Sequence, residues 1–218
     1  MEAPPGLAWT AGVVAFVAAV PLWRFTTHAI TIAHEGGHAL FGLLLGRGIT
    51  KITVTGGGGG STGFRTGGWL AIVLSFLAGY LGPSIFGFVG AWMLVHGVAP
   101  RAVLLMSLVL MAMLLVMVRN FFGFIAVPLT AAVIWAVAMR AAPEAQLVFA
   151  YIWVWFLLMG GVRQIPELYR HWLGKGEPDT KVLAQQTGLS TAFFVAFFWL
   201  GSMTALVWGG ALLLRYTG

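Results

Sequence analysis

Two histidines four residues apart flank a glutamate in His34-Glu35-Gly36-Gly37-His38, the stretch of this chain best suited to chemistry. On a helix, residues i and i+4 project from one face, so both imidazoles can share one Zn²⁺. The glutamate beside the first histidine can take a proton from metal-bound water, which makes hydrolysis the chemistry indicated and Glu35 the candidate general base. The flanking residues are apolar enough to lie in a membrane, where unpaired ionisable groups are costly and therefore mark function. The alternative is a pair of hydrogen-bonded core histidines without a ligand.

The elements that must hold these residues are membrane helices. Hydrophobic residues make up 60 % of the 218 and charged residues 8 %, against about 25 % in soluble proteins; mean hydropathy is +0.93. Seven apolar segments are predicted as spanning helices: 7–23, 26–46, 69–97, 101–118, 121–140, 146–163 and 190–214. The expected fold is an all-α polytopic membrane protein with about seven transmembrane helices, forming one domain over residues 1–218. The first segment lacks a basic flank and a small-residue cleavage site, so it reads as a retained helix rather than a signal peptide. The third carries Gly79, Gly82, Gly87 and Gly90 for close helix packing, with Pro83 among them. Trp9, Trp23, Trp69, Trp92 and Trp172 are expected as interfacial anchors.

The formal charge of +6 is spread thinly over short loops, which fits topology and anionic lipid and excludes nucleic acid as a partner. With no cysteine, any metal must be held by histidine, carboxylate or amide groups. Seven crossings put eight Lys and Arg on one side and four on the other (Arg24, Arg101, Arg140 and Arg215). The richer side holds loops 47–68 and 164–189, the Arg119-Asn120 corner and the N-terminus, and is assigned to the cytoplasm.

Lys51 to Thr55 alternate in character, a glycine run Gly56 to Gly60 follows, and Thr62 and Phe64 resume the pattern. A short hairpin or re-entrant β-ribbon is expected, whose free edge would bind an extended peptide by strand addition. Gly58, Gly59, Gly60 and Asn120 form the candidate substrate-binding set. The other reading of the run is a flexible linker. It lacks the Gly-Lys-Ser/Thr of a phosphate-binding loop.

A catalytic zinc takes three protein ligands and leaves one position for water. Of six acidic residues, Glu2 is terminal, Glu35 is the base and Glu144 falls on the opposite face, leaving Glu167, Glu177 and Asp179 in the 164–189 loop. Asp179, the sole aspartate, also suits a helix N-cap after Pro178. Asn120 is the other polar candidate. His38 is expected about 12 Å inside its helix end near Leu45. A ligand from 164–189 therefore requires that segment to fold back into the membrane domain, which is permissible only where protein or water satisfies its backbone.

The sequence resembles the compact bacterial branch of the site-2 protease class of intramembrane zinc metalloproteases over most of residues 26–200. The resemblance is carried by the HEGGHAL helix, the glycine-rich loop after it, Ala78-Gly79-Tyr80-Leu81-Gly82-Pro83, Arg119-Asn120-Phe121-Phe122-Gly123, and Pro178-Asp179-Thr180 with Leu183 to Ser190. It implies zinc at His34 and His38, Glu35 as general base, and a carboxylate from a distant segment as third ligand. The Asn-Pro-Asp-Gly or Leu-Asp-Gly motif of larger relatives is absent, and the RNFFG stretch stands roughly in its place. Asp179 inherits the ligand role by elimination and by its Pro-Asp-Thr context. There is no inserted PDZ-like domain, so selection of substrate falls to the membrane core or to a regulatory membrane partner.

The expected function is hydrolysis of peptide bonds in or near the transmembrane segment of a membrane-protein substrate, in a bacterial cytoplasmic membrane. A catalytically inactive scaffold of the same fold is the main alternative, favoured if no third ligand exists. A divalent-metal transporter is the other. It would show inverted repeats or several intramembrane carboxylates, which the sequence lacks.

Overall fold

The computed structural model describes residues 4, 6–57, 59–65, 67–168 and 178–216. The helices are α1 (Leu7–Ala19), α2 (Trp23–Leu44), α3 (Trp69–Val95), α4 (Pro100–Met117), α5 (Phe121–Arg140), α6 (Pro143–Arg163), α7 (Pro178–Thr187) and α8 (Thr191–Tyr216). Strands β1 (Ile49–Val54) and β2 (Gly60–Phe64) form an antiparallel ribbon between α2 and α3. Every predicted segment is a helix with ends displaced by a few residues, and the ribbon forms where the alternating residues predict it. The fold is an all-α polytopic membrane architecture with one small sheet, as expected, and the protein is an integral membrane protein.

Local sequence sets the helix ends. Proline opens α4 and α6, where its missing N–H has no partner to lose. The end of α2 turns on Gly46 in the left-handed region (φ 73°), with Gly46 N–H donating to Leu43 O and Arg47 N–H to Gly42 O. This Schellman closure needs glycine at its left-handed position and points the chain straight into β1.

The number of crossings differs from seven. α3, α4, α5, α6 and α8 are each long and apolar enough to span, whereas α1 and α2 qualify only together, as a pair bent by 100°, so the crossings number five, or six when that pair is counted as one span. At 13 residues, α1 is about 20 Å long, short of a hydrocarbon core of about 30 Å. Arg24, three threonines, three histidines and Glu35 lower the apolarity of α2. Trp23 is not an interfacial anchor. It is 6 % exposed, its Nε1 donates to the Glu167 carboxylate, and Arg163 lies over its ring. The start of α2 therefore meets the end of α6, two points that seven alternating crossings would place on opposite sides. Trp9, Trp69 and Trp92 are exposed as anchors should be, and Trp172 lies outside the described residues.

α3 is the central helix, packed against α2, α6 and α8. Its glycines let neighbours approach: a Cβ at Gly87 or Gly90 would collide with Leu158 or Val154 of α6. Small residues are how membrane helices gain close packing, because apolar burial gives no net drive in lipid. Large side chains such as Val109, Phe124, Leu129 and Trp208 point outward, consistent with contact to acyl chains.

Candidate metal centre

Helix α2 carries His34, Glu35 and His38 into the interior, where they are 9 %, 2 % and 1 % exposed. The two imidazoles meet edge to face, with their Nε2 atoms 3.1 Å apart. The outer nitrogens settle which atoms carry hydrogen. His38 Nδ1 donates to the Ser75 carbonyl at 2.8 Å, since a carbonyl only accepts. Gln164 lies 3.3 Å from His34 Nδ1 through its Oε1. The amide must face this way, because its Nε2 donates to two acceptor-only groups, Tyr80 O at 2.8 Å and Gly161 O at 3.2 Å. His34 Nδ1 is therefore also the donor. In the neutral rings, the form that binds metal, both Nε2 atoms then carry lone pairs directed at each other.

Asp179, in the first turn of α7, completes the group. Its Oδ2 lies 3.3 Å from His34 Nε2 and 3.0 Å from His38 Nε2. Three acceptor atoms thus face one another at 3.0–3.3 Å. Bonds of about 2 Å in a tetrahedron place neighbouring ligand atoms about 3.3 Å apart, so the donor set has the chemistry and spacing of a three-ligand zinc site. Among the described residues these three are the His, Asp or Glu group able to hold a metal ion. α7 packs on α3 and α8, which is how the segment before the last helix reaches the interior.

Glycine allows α3 to sit against this face. A Cβ at Gly79 would lie 2.3 Å from His38 Nε2, and one at Gly37 would lie 2.1 Å from the Ala78 carbonyl oxygen. In this arrangement the Ser75 carbonyl of α3 lies 2.8 Å from His38 Nδ1. A Cβ at Gly36 would make only ordinary van der Waals contact, with Leu114 at 3.7 Å and Phe86 at 3.9 Å.

The ribbon covers Glu35. Thr62 of β2 donates to Glu35 Oε2 at 2.5 Å, and a Cβ at Gly60 would lie 2.2 Å from Oε1. Phe64, on the same strand face as Thr62, packs against His38 and Phe76. Arg47 lies 4.0 Å above the Phe64 ring; its burial pushes the guanidinium pKa down. The other side of the ribbon is occupied. Arg119 N–H donates to Ile52 O at 2.9 Å, and Asn120 pairs with Val54 at both ends of its amide, 3.0 and 2.6 Å. The α4–α5 corner thus acts as a short third strand on β1, while in the sheet β2 is paired with β1 alone among the described residues.

The structure brings His34, His38 and Asp179 together, with Glu35 alongside and Gly60 on Glu35. Gly59 closes the hairpin by accepting from Thr55 N–H and Oγ1, both at 2.8 Å. Asn120 holds the ribbon from behind, its amide engaged through both oxygen and nitrogen. Of the other ligand candidates, Glu167 is engaged by Trp23 and Arg163. Gly58 and Glu177 lie outside the described residues. Sequence reasoning missed Gln164, the Ser75 carbonyl and the Thr62 contact. Only Thr62 left a signal, through its alternation with Phe64.

A family model described as Peptidase M50B-like matches residues 7–209, most of the 218-residue chain. Neither the curated proteins nor the solved structures compared with the chain give a match. The chain belongs to the Peptidase M50B-like family, in agreement with its resemblance to site-2 proteases.

Proposed function

We propose that this family member is an intramembrane zinc metalloendopeptidase that hydrolyses peptide bonds in or near the transmembrane segment of a membrane-protein substrate. The observation that carries the reading is the convergence of three lone-pair donors, from His34, His38 and Asp179, beside the Glu35 carboxylate. Zinc, when bound, polarises the scissile carbonyl and makes water acidic enough to react near neutral pH. Glu35 accepts the proton of the attacking water and passes it to the departing amine. Thr62 steadies one Glu35 oxygen meanwhile. The carbonyl of Ser75 and the amide of Gln164 keep both imidazoles in the tautomer that presents Nε2.

A transmembrane helix keeps its carbonyls hydrogen-bonded within itself, so a client must unwind locally before it can be cut. The edge of β2 next to Glu35 offers the replacement partners, pairing with the unwound segment as an added strand. Gly59 and Gly60 present no side chain to obstruct it; Gly58, the third glycine of the candidate set, lies outside the described residues. Asn120 serves binding indirectly, by fixing β1.

Treating α1 and α2 as one crossing keeps loops 47–68 and 164–189 and the Arg119 corner together, with eight Lys and Arg; Arg101, Arg140 and Arg215 remain opposite, and Arg24 lies next to the bend. Both large loops then face the cytoplasm of a bacterial cell, and the N-terminus, which seven crossings would put there too, moves to the opposite side because the bent pair counts once. The chain acts as one integral-membrane unit over 1–218, and a membrane partner supplies any further selectivity.

A non-catalytic scaffold would need neither the carboxylate nor the aligned lone pairs. A transporter would need a series of carboxylates along a path, whereas here Glu35 and Asp179 gather at one point. The test is to incubate zinc-loaded wild type and Glu35→Gln with solubilised bacterial membrane proteins and map new N-termini by mass spectrometry. Wild type alone is expected to create termini within or beside transmembrane segments; identical patterns overturn the proposal.

A further inference from the structure

We infer that Gln164 is a positioning residue for the metal centre, one that sets zinc affinity by fixing the tautomer and ring orientation of His34. This rests on the metal site proposed above and names a residue outside the histidine–glutamate motif. Gln164 is the C-terminal cap of α6 and is 8 % exposed. It touches three elements at once: α2 through His34 Nδ1, α3 through Tyr80 O, and α6 through Gly161 O. Tyr80 contributes twice, since its ring also stands perpendicular to the His34 ring at 4.5 Å. The imidazole is therefore held by the perpendicular Tyr80 ring and, at its outer nitrogen, by Gln164.

The direction of each hydrogen bond matters here. With Nε2 of Gln164 committed to two carbonyls, Oε1 is the only amide atom available to His34, and it can only accept. That puts hydrogen on His34 Nδ1 and, in the neutral ring that binds metal, the lone pair on Nε2, the atom facing His38 and Asp179. Loss of such a partner typically weakens a metal site 10–100-fold, because the ring gains freedom and the ligand nitrogen loses basicity. Nearby contacts anchor the same region. Glu167, one turn on, holds Trp23, so the 163–167 segment grips α2 both at its start and at His34, eleven residues later.

Zinc affinity of the purified full chain, measured by chelator competition, tests the inference. Gln164→Met is expected to raise the zinc dissociation constant about 10–100-fold. Gln164→Glu keeps an acceptor for His34 but loses both donors, and is expected to bind zinc more tightly than Gln164→Met. A role confined to tying α6 to α3 predicts the reverse order, because glutamate removes those ties and adds a buried charge. Unchanged affinity in Gln164→Met, or the reverse order, overturns the inference. Should neither variant fold, hydrogen exchange at His34 Nδ1 in zinc-loaded wild type decides: slow exchange upholds the bond to Gln164 and fast exchange overturns it. Wild type that binds no zinc at all would instead overturn the metal site itself.

Discussion

Thr62 donates its hydroxyl to the Glu35 carboxylate at 2.5 Å, fastening the covering strand to the proposed general base. Substrate and water must therefore approach an oxygen that is already half engaged. Thr62→Val keeps the shape of the strand and removes the donor. Cleavage is expected to fall about tenfold with zinc content unchanged, less than the roughly 10²–10⁴-fold that a proton-transfer group itself contributes, because Thr62 only steadies that group. Wild-type cleavage rates in this variant would show that the contact has no part in turnover.

One zinc ion per chain is expected after metal-replete purification, and none in the His34→Ala/His38→Ala double variant. Asp179→Ala should retain the fold and lose most of the affinity. Because imidazole and carboxylate bind metal only when deprotonated, acidification from about pH 7.5 to 5.5 should release zinc. Elemental analysis across this series checks all three statements, and full zinc content in Asp179→Ala would remove that residue from the ligand set.

The two glycines inside the motif should respond in opposite ways. Gly37→Ala drives a methyl into the Ala78 carbonyl and is expected to destabilise the protein by about 1–3 kcal/mol. Gly36→Ala meets nothing closer than 3.7 Å and should be neutral or stabilising by up to about 1 kcal/mol, the helix propensity difference. Unfolding in mixed micelles measures both, and equal effects would mean that the α2–α3 approach is looser than described.

Asn120→Leu removes both bonds to Val54. Amide exchange across residues 49–64 is expected to rise, and cleavage to fall, while zinc affinity stays within about twofold, since the ribbon holds none of the three ligands. An unaltered exchange pattern would mean that the Arg119–Ile52 bond alone supports the ribbon.

The chain has no cysteine, so single cysteines introduced for labelling report topology without background. A cysteine near residue 4 and one near residue 57 are expected on opposite membrane sides. Labelling of both from the same side would restore a separate crossing for α1.

The membrane helices and the reactive motif were legible because both are local: an apolar run declares itself within twenty residues, and i, i+4 spacing is a property of one helix. Asp179 could be reached by counting carboxylates, since the chain has only six. Gln164 and Ser75 could not. Gln164 is an ordinary amide whose role arises from three-dimensional position, and Ser75 acts through a carbonyl that any residue would supply. Trp23 misled for the same reason, as a tryptophan at a helix end is usually an anchor, and its partners Arg163 and Glu167 lie far off in sequence. The 100° bend after α1 left no mark stronger than Pro21, which also fits a simple helix start.

Chain order gives the ligand set a schedule. Asp179 follows His34 by 145 residues and His38 by 141. A ribosome adding about 5–20 residues per second needs roughly 7–30 s to travel that distance. Throughout that interval the motif helix can enter the bilayer with two imidazoles and no carboxylate to complete them. With Asp179 as the proposed third ligand, full metal loading of the nascent protein waits on the synthesis of α7.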